Sequence, residues 1–376
     1  MNVHERIWKA LSHEEADRVP TFCQAIEDPF IIRYDDEYEI QDDYGMIKPD
    51  LALGKELGLD SKWMPTGVYT SDENNQPELP QEVSEKLEQK NLYVDKNGHI
   101  NARNNTGETW YQGGVLTTPE LIQEWISYIK TFEPAPESHW RYYYNIWEQG
   151  IAHDFLPIPN AGGPTYTTWA AIGLKRLAYV LRKYPRHFRD LLRAFTDITI
   201  EMHNCLFEQG FDLVFICDDH AFKDRCMFSP QQFETFLMPN FKRLADNAHK
   251  HGGKFLLHTD GNMHMEMPYL VQAEVDAIDP LEYEANNDLA ELKQKHGDKI
   301  SLIGNIGASD ILSYGSVEDT VKATKHALLH AAEGGGYILA PGSDVLGTVK
   351  LENLQAMIET TKKFGTYPLD KERLRN

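Results

Sequence analysis

The stretch Phe255-Leu256-Leu257-His258-Thr259-Asp260-Gly261-Asn262 decides the fold. Its apolar run is too short for a helix and does not alternate with polar residues, so it suits a strand buried on both faces, as in parallel sheets. Similar runs recur at 155–159, 213–217, 275–279, 300–306 and 337–340, and amphipathic segments such as 229–251 and 317–333 lie between the later ones. Strand, helix, strand at this spacing predicts a parallel sheet. A further short strand follows Asp17-Arg18-Val19-Pro20 and runs through Cys23, and one more is expected inside segment 66–115. Eight strands close a barrel. The expected fold is therefore α/β, a (β/α)8 TIM-type barrel forming one domain over residues 1–376. Segment 66–115 is expected to be an antiparallel hairpin insertion in the N-terminal third, with Asn97-Gly98 and Thr106-Gly107 as turn signals. No Gly-x-Gly-x-x-Gly follows any strand, which argues against an open dinucleotide-binding sheet.

Charge and composition narrow the function. The 376 residues carry 37 basic and 58 acidic side chains, a formal charge of -21 that opposes nucleic acid and anionic membrane. The cysteines Cys23, Cys205, Cys217 and Cys226 have no paired spacing, which fits a reducing compartment. The start, Met1-Asn2-Val3-His4-Glu5-Arg6, has no apolar leader, and no stretch reaches the length of a membrane span. A cytoplasmic location is expected.

In such a barrel the active site forms where the strands end. Five successive runs end on polar groups: Asp218-Asp219-His220, His258-Thr259-Asp260-Gly261-Asn262, Asp279-Pro280-Leu281-Glu282, Gly304-Asn305 and Pro341-Gly342-Ser343-Asp344. One such ending is routine turn chemistry; five on one rim point to a site. Imidazole and carboxylates share a divalent cation, or divide the roles of general acid and base. His258 and Asp260 stand two apart and leave one face of a strand, a spacing for a shared metal. His264 also borders this rim. Cys217 and Cys226 could offer sulfur to a metal, but Cys217 lies inside a strand and reads first as a small core residue; His249 and His251 read as a helix C-terminus. The aromatic run from Trp140 to Trp147 reads as helix packing, and Trp110 with Tyr111 as cross-strand packing or a wall for a flat ligand.

These residues resemble the superfamily of uroporphyrinogen decarboxylase and the cobalamin-dependent methyltransferases. The resemblance rests on Glu5-Arg6 through Asp17-Arg18-Val19-Pro20, Asp42-Asp43-Tyr44-Gly45, Gly163-Pro164-Thr165, Asp218-Asp219, His258 through Asn262, Gly304-Asn305-Ile306, Ala340-Pro341-Gly342 and Leu351-Glu352-Asn353. It implies the barrel, with its pocket at the strand carboxyl ends. Resembling the decarboxylase would require Arg-Gln-Ala-Gly-Arg just after the first strand, where this chain reads Thr21-Phe22-Cys23-Gln24-Ala25-Ile26-Glu27-Asp28, with both arginines missing. Carboxylates in place of guanidinium forks oppose a polyanionic substrate. The methyltransferase branch implies zinc on a His-x-Cys strand end and a second cysteine after Ala-Pro-Gly; here Asp260 and Ser343 stand in for the two cysteines.

The expected function is a methyltransferase-like enzyme that moves a methyl group between a small molecule and a corrinoid carried by a partner protein; self-association is left open. His258 and Asp260 are the expected ligands of a divalent metal, zinc foremost, with Asp219 and Glu282 as further catalytic groups. Asp218, His220, Asn262, Asn305, Ser343 and Asp344 are expected around the substrate. A metal-free lyase acting on a small carboxylated or cyclic substrate is the alternative, and a non-catalytic ligand-binding barrel the third.

Overall fold

Strand residues buried on both faces need a neighbouring strand on each side and helices outside. The computed structural model describes residues 1–40, 49–104 and 109–375 and meets that demand with eight parallel strands. They are β1 (Phe22–Cys23), β2 (Ser61–Pro65), β3 (Leu156–Asn160), β4 (Leu213–Cys217), β5 (Lys254–His258), β6 (Ala277–Asp279), β7 (Ser301–Ile306) and β8 (Tyr337–Pro341). They neighbour one another in chain order. The ring closes where Leu339 N–H of β8 donates to Pro20 C=O beside β1 at 2.9 Å. The expected barrel is present, with one shift: β2 lies just ahead of segment 66–115, not inside it.

That segment holds a three-stranded antiparallel sheet, Leu92–Val94, His99–Arg103 and Thr109–Gly114. Asn97-Gly98 makes its first turn, where Gly98 takes φ +89°. The signals at Thr106-Gly107 and Asp42-Asp43-Tyr44-Gly45 lie outside the described residues. The aromatic run falls on helix Glu137–Ala152 and buries Trp140 and Trp147. Among the described residues no helix is long and apolar enough to cross a membrane.

The longest helix, Pro185–Gln209, shows how the sequence builds the outer layer. Proline stands in its first turn, where a missing N–H costs nothing. Phe188, Leu191, Leu192, Phe195, Ile198, Met202 and Leu206 recur at intervals of three and four and form its buried face. It stops at Gly210, whose φ of +109° is the left-handed cap that glycine adopts readily. Inside the barrel, Phe22 stacks on Phe215 at 5.7 Å and Trp63 meets Phe215 edge-on at 5.5 Å.

The amino ends of β1 and β2 are tied by one buried carboxylate. Asp60 accepts from Arg6 Nη1 (2.9 Å), from both terminal nitrogens of Arg18 (2.6 Å each), and from Thr21 N–H and Oγ1 (2.8 and 2.9 Å). Arg6 also forks onto Asp17. This cluster sits at the mouth opposite the strand carboxyl ends, where it serves stability. The Asp60 and Arg6 side chains are 2% and 5% exposed, so Asp60→Ala strands buried guanidinium charge. We expect it to cost about 3–5 kcal/mol in urea denaturation; a loss below 1 kcal/mol would contradict this account.

Candidate active site

Parallel pairing gives every strand residue one partner on each side. For His258, at the carboxyl end of β5, the partners are Cys217 of β4 and Asp279 of β6. The imidazole is 3% exposed and rests edge-on to Trp63 at 4.8 Å. Its Nδ1–H donates to Asp279 Oδ2 at 3.0 Å. Its Nε2 faces Asp219 Oδ1 at 3.4 Å and Asp260 Oδ1 at 3.7 Å.

His258 is the cation these three carboxylates share: no lysine or arginine pairs with Asp219, Asp260 or Asp279 among the described residues. The charges shift accordingly. Burial opposes the imidazolium most strongly, yet Cys217, Asp219 and Asp279 outweigh it and hold His258 well above its ordinary pKa. Burial likewise pushes Asp260 up to about 7, with Asp219 and Glu282 pushing the same way against His258. Asp219 moves down, because the bonds from His258 and from Asp260 N–H overcome its burial. Asp279 and the Cys217 thiol are both pushed up by burial, His258 opposing.

Cys217, Asp219 and His258 can each offer one ligand atom, with all three atoms within 4.8 Å of one another. Zinc bonds of about 2.0–2.3 Å set ligand atoms roughly 3.3–3.8 Å apart in a tetrahedron, a range that holds the His258 Nε2 to Asp219 Oδ1 separation of 3.4 Å. Three protein ligands leave the fourth position open, as catalytic zinc requires. Asp279 on Nδ1 orients the ring and directs Nε2 to the cluster. Asp260 Oδ1 and Asp279 Oδ1 are buried without a hydrogen-bond partner, another sign of a pocket built for a cation. Cys217 places a thiol one strand over from His258. Cys217, expected as core, belongs to this cluster because its register partner is His258.

The other expected residues divide by what they touch. Glu282 accepts from Gly261 N–H at 2.6 Å and holds the turn after His258. Asn305 donates to Leu281 C=O at 2.7 Å and to Asn287 C=O at 3.1 Å. Gly304 beside it has φ +134°, and a Cβ there would lie 1.9 Å from Pro280 O, so the Gly304-Asn305 motif answers a close backbone approach. Asp344 accepts from Gln24 at 2.8 Å; Ser343 follows β8 on the same rim, half-buried. Asp218 is fully buried, and its Oδ1 accepts from Tyr166 N–H at 2.7 Å in the first turn of helix Pro164–Ile172. Burial pushes its carboxyl up to about 6.

His220 is sealed from the mouth. Its Nδ1–H donates to Asp218 C=O at 2.5 Å and its Nε2 pairs with buried Glu266 at 2.7 Å. Glu266 overcomes the burial cost and raises His220 to about 9. Asn262 clamps Ala285 C=O at 2.8 Å, and His264 faces Asn286 C=O at 3.1 Å. Sequence reasoning named Asp279 as a strand end but gave it no role, and passed over Glu266. Asp279 carried a readable signal, since it ends its strand one place before a proline, as His258 ends its own.

Residues 146–364 match the family described as Uroporphyrinogen decarboxylase (URO-D). A methylcobamide:CoM methyltransferase, MtaA, of Methanosarcina barkeri is 27% identical over 219 residues, covering 58% of this chain and 61% of that protein. A uroporphyrinogen decarboxylase of Coxiella burnetii is 22% identical over 50% of each chain. The chain thus matches 61% or less of the length of these curated relatives. A solved methyltransferase from Methanosarcina mazei shares the fold, with TM-score 0.66 over 97% of this chain and 99% of that one, at 19% identity.

Two outcomes follow from the geometry. In metal-free protein, Asp279→Asn removes an anion from Nδ1, so the His258 pKa followed by imidazole NMR should fall; an unchanged titration would refute the contact. Asp260 binds its proton more tightly folded (about 7) than unfolded (about 3.9), so its contribution is present below pH 4 and lost as pH rises through 7. The stability of Asp260→Asn relative to wild type should therefore rise across that window in denaturation at stepped pH.

Proposed function

The chain belongs to the uroporphyrinogen decarboxylase (URO-D) family, and from that premise we propose a methyltransferase that moves a methyl group between a small molecule and a corrinoid carried by a partner protein. The observation that carries the reading is the Cys217, Asp219 and His258 cluster braced by Asp279. A thiol, a carboxylate and an imidazole suit zinc, which is borderline in softness. Held there, a divalent ion supplies Lewis-acid activation of a heteroatom.

The chain's own groups do the rest. Asp279 fixes the ring of His258 and keeps Nδ1 protonated. Asp260, with a pKa near 7, takes a proton from the incoming heteroatom at Oδ1 and releases it toward the mouth. Trp63 and Phe215 close the floor beneath and exclude water. Glu282 and Asn305 hold the surrounding turns, and Ser343 with Asp344 line the far side. The rim carries Asp219, Asp260, Asp279 and Asp344, and both arginines of the decarboxylase pattern are missing from residues 21–28. A polycarboxylated tetrapyrrole would meet like charge there.

A second reading, a lyase using His258 and Asp260 as an acid–base pair, is favoured by the near-neutral pKa of Asp260. Elemental analysis and methylcobalamin spectroscopy separate the two. Under the methyl-transfer reading, wild type holds stoichiometric metal and demethylates methylcobalamin when a thiol is added. His258→Ala and Cys217→Ser lose the metal, and the rate drops about 100-fold or more. Metal-free wild type that leaves the methylcobalamin spectrum unperturbed would turn the assignment to the lyase.

A further inference from the structure

Charge is not spread evenly over this acidic molecule. Between Gly173 and Ala194 stand Lys175, Arg176, Arg182, Lys183, Arg186, Arg189 and Arg193, with Asp190 the one acid. That is +6 in a chain of -21. All seven basic side chains are exposed. No ion pair neutralises any of them among the described residues; Arg189 rests over Phe236, 5.7 Å from the ring centroid.

The stripe is placed beside the mouth. Phe195, Ile198 and Thr199 of helix Pro185–Gln209 line a cavity of about 230 Å³ together with Gly163 and Cys217, so the helix passes the carboxyl ends of β3 and β4 at that level. From there to its first residue it rises about 1.5 Å per residue. Arg193 therefore stands within one turn of that level, and Arg189 and Arg186 on the two turns before it. Helix Leu174–Lys183 joins the stripe to helix Pro164–Ile172, whose Trp169 indole N–H donates to Asp219 C=O at 2.6 Å. Leu174 and Tyr179 add exposed apolar surface, 44% and 52% accessible, and tyrosine and arginine are enriched where proteins meet.

We infer that this stripe docks an acidic face of a partner protein, so that the partner's cargo is presented to the mouth holding Cys217 and His258. The inference rests on the methyl-transfer reading, in which one substrate arrives protein-bound. Complementary charge would steer the encounter and set its orientation. The rest of the chain has a formal charge more negative than -21, so nucleic acid or an anionic membrane would be repelled beyond about one Debye length, ~8 Å, from the stripe. A second copy docked stripe to stripe would set like charges together, and one docked through another face would show as self-association.

The test uses poly-L-glutamate as the acidic probe, with free methylcobalamin titrated separately. Wild type should bind polyglutamate with an affinity that falls as salt rises from about 50 to about 200 mM. Arg182→Glu, Lys183→Glu, Arg186→Glu and Arg189→Glu together should weaken it about tenfold or more, and the four glutamine substitutions should weaken it less. Free methylcobalamin should bind wild type and the charge-reversed protein alike, which also reports that the variant is folded. Docking is overturned if polyglutamate fails to bind, or if the reversal leaves its affinity unchanged. It is equally overturned if duplex DNA or phosphatidylglycerol vesicles bind the stripe more tightly, or if salt-sensitive self-association vanishes in the variant. Polyglutamate binding lost on reversal, with methylcobalamin bound by neither protein, would uphold the docking surface and sink the methyl-transfer reading instead.

Discussion

His258 is held between Cys217 and Asp279 because a parallel strand inside a barrel has a partner on either side, in register. The pairing buries an imidazole among a thiol and three carboxylates, and among the described residues no lysine or arginine neutralises them. Such a nest holds one positive charge. In the ion-free protein that charge is the proton on His258; a divalent cation meets the same field. Asp279 settles which nitrogen of the ring faces the cluster, and Asp260 keeps its own proton to near neutrality because burial, reinforced by the carboxylates around it, disfavours its charged form.

The two ends of the barrel divide the labour. At the amino ends Asp60 gathers Arg6, Arg18 and Thr21 into a buried knot that fastens β1 to β2. At the carboxyl ends, charge is left incompletely paired and Oδ1 atoms of Asp260 and Asp279 are orphaned. The first arrangement gains stability from satisfied groups, whereas the second leaves that gain unused and keeps groups available to a ligand. The motif Glu5-Arg6 through Asp17-Arg18 therefore speaks for the fold, and His258 through Gly261 for the site.

Much of this was legible in the residues. The apolar runs at 213–217 and 255–258 announce buried strands, and the polar residues that end them mark the rim. His258, Asp219 and Asp260 were visible as a group for that reason. Asp218, His220 and Asn262 carried the same signal, yet their side chains are taken up by the Tyr166 amide, by Glu266 and by the Ala285 carbonyl. A polar residue at a strand end looks alike in sequence whether it caps a turn or faces a pocket. β2 was displaced because Ser61-Lys62-Trp63-Met64-Pro65 is not an apolar run; its buried lysine is satisfied by Asp50 and the Trp63 carbonyl.

What the sequence determined by itself is the barrel and the polar rim at its strand ends, since periodicity and strand-end chemistry are local properties of the chain. What the tertiary structure decided is which of the rim groups share one charge. Cys217 and Asp279 lie 41 and 21 residues from His258, and only parallel register, a relation between strands, sets them on either side of it.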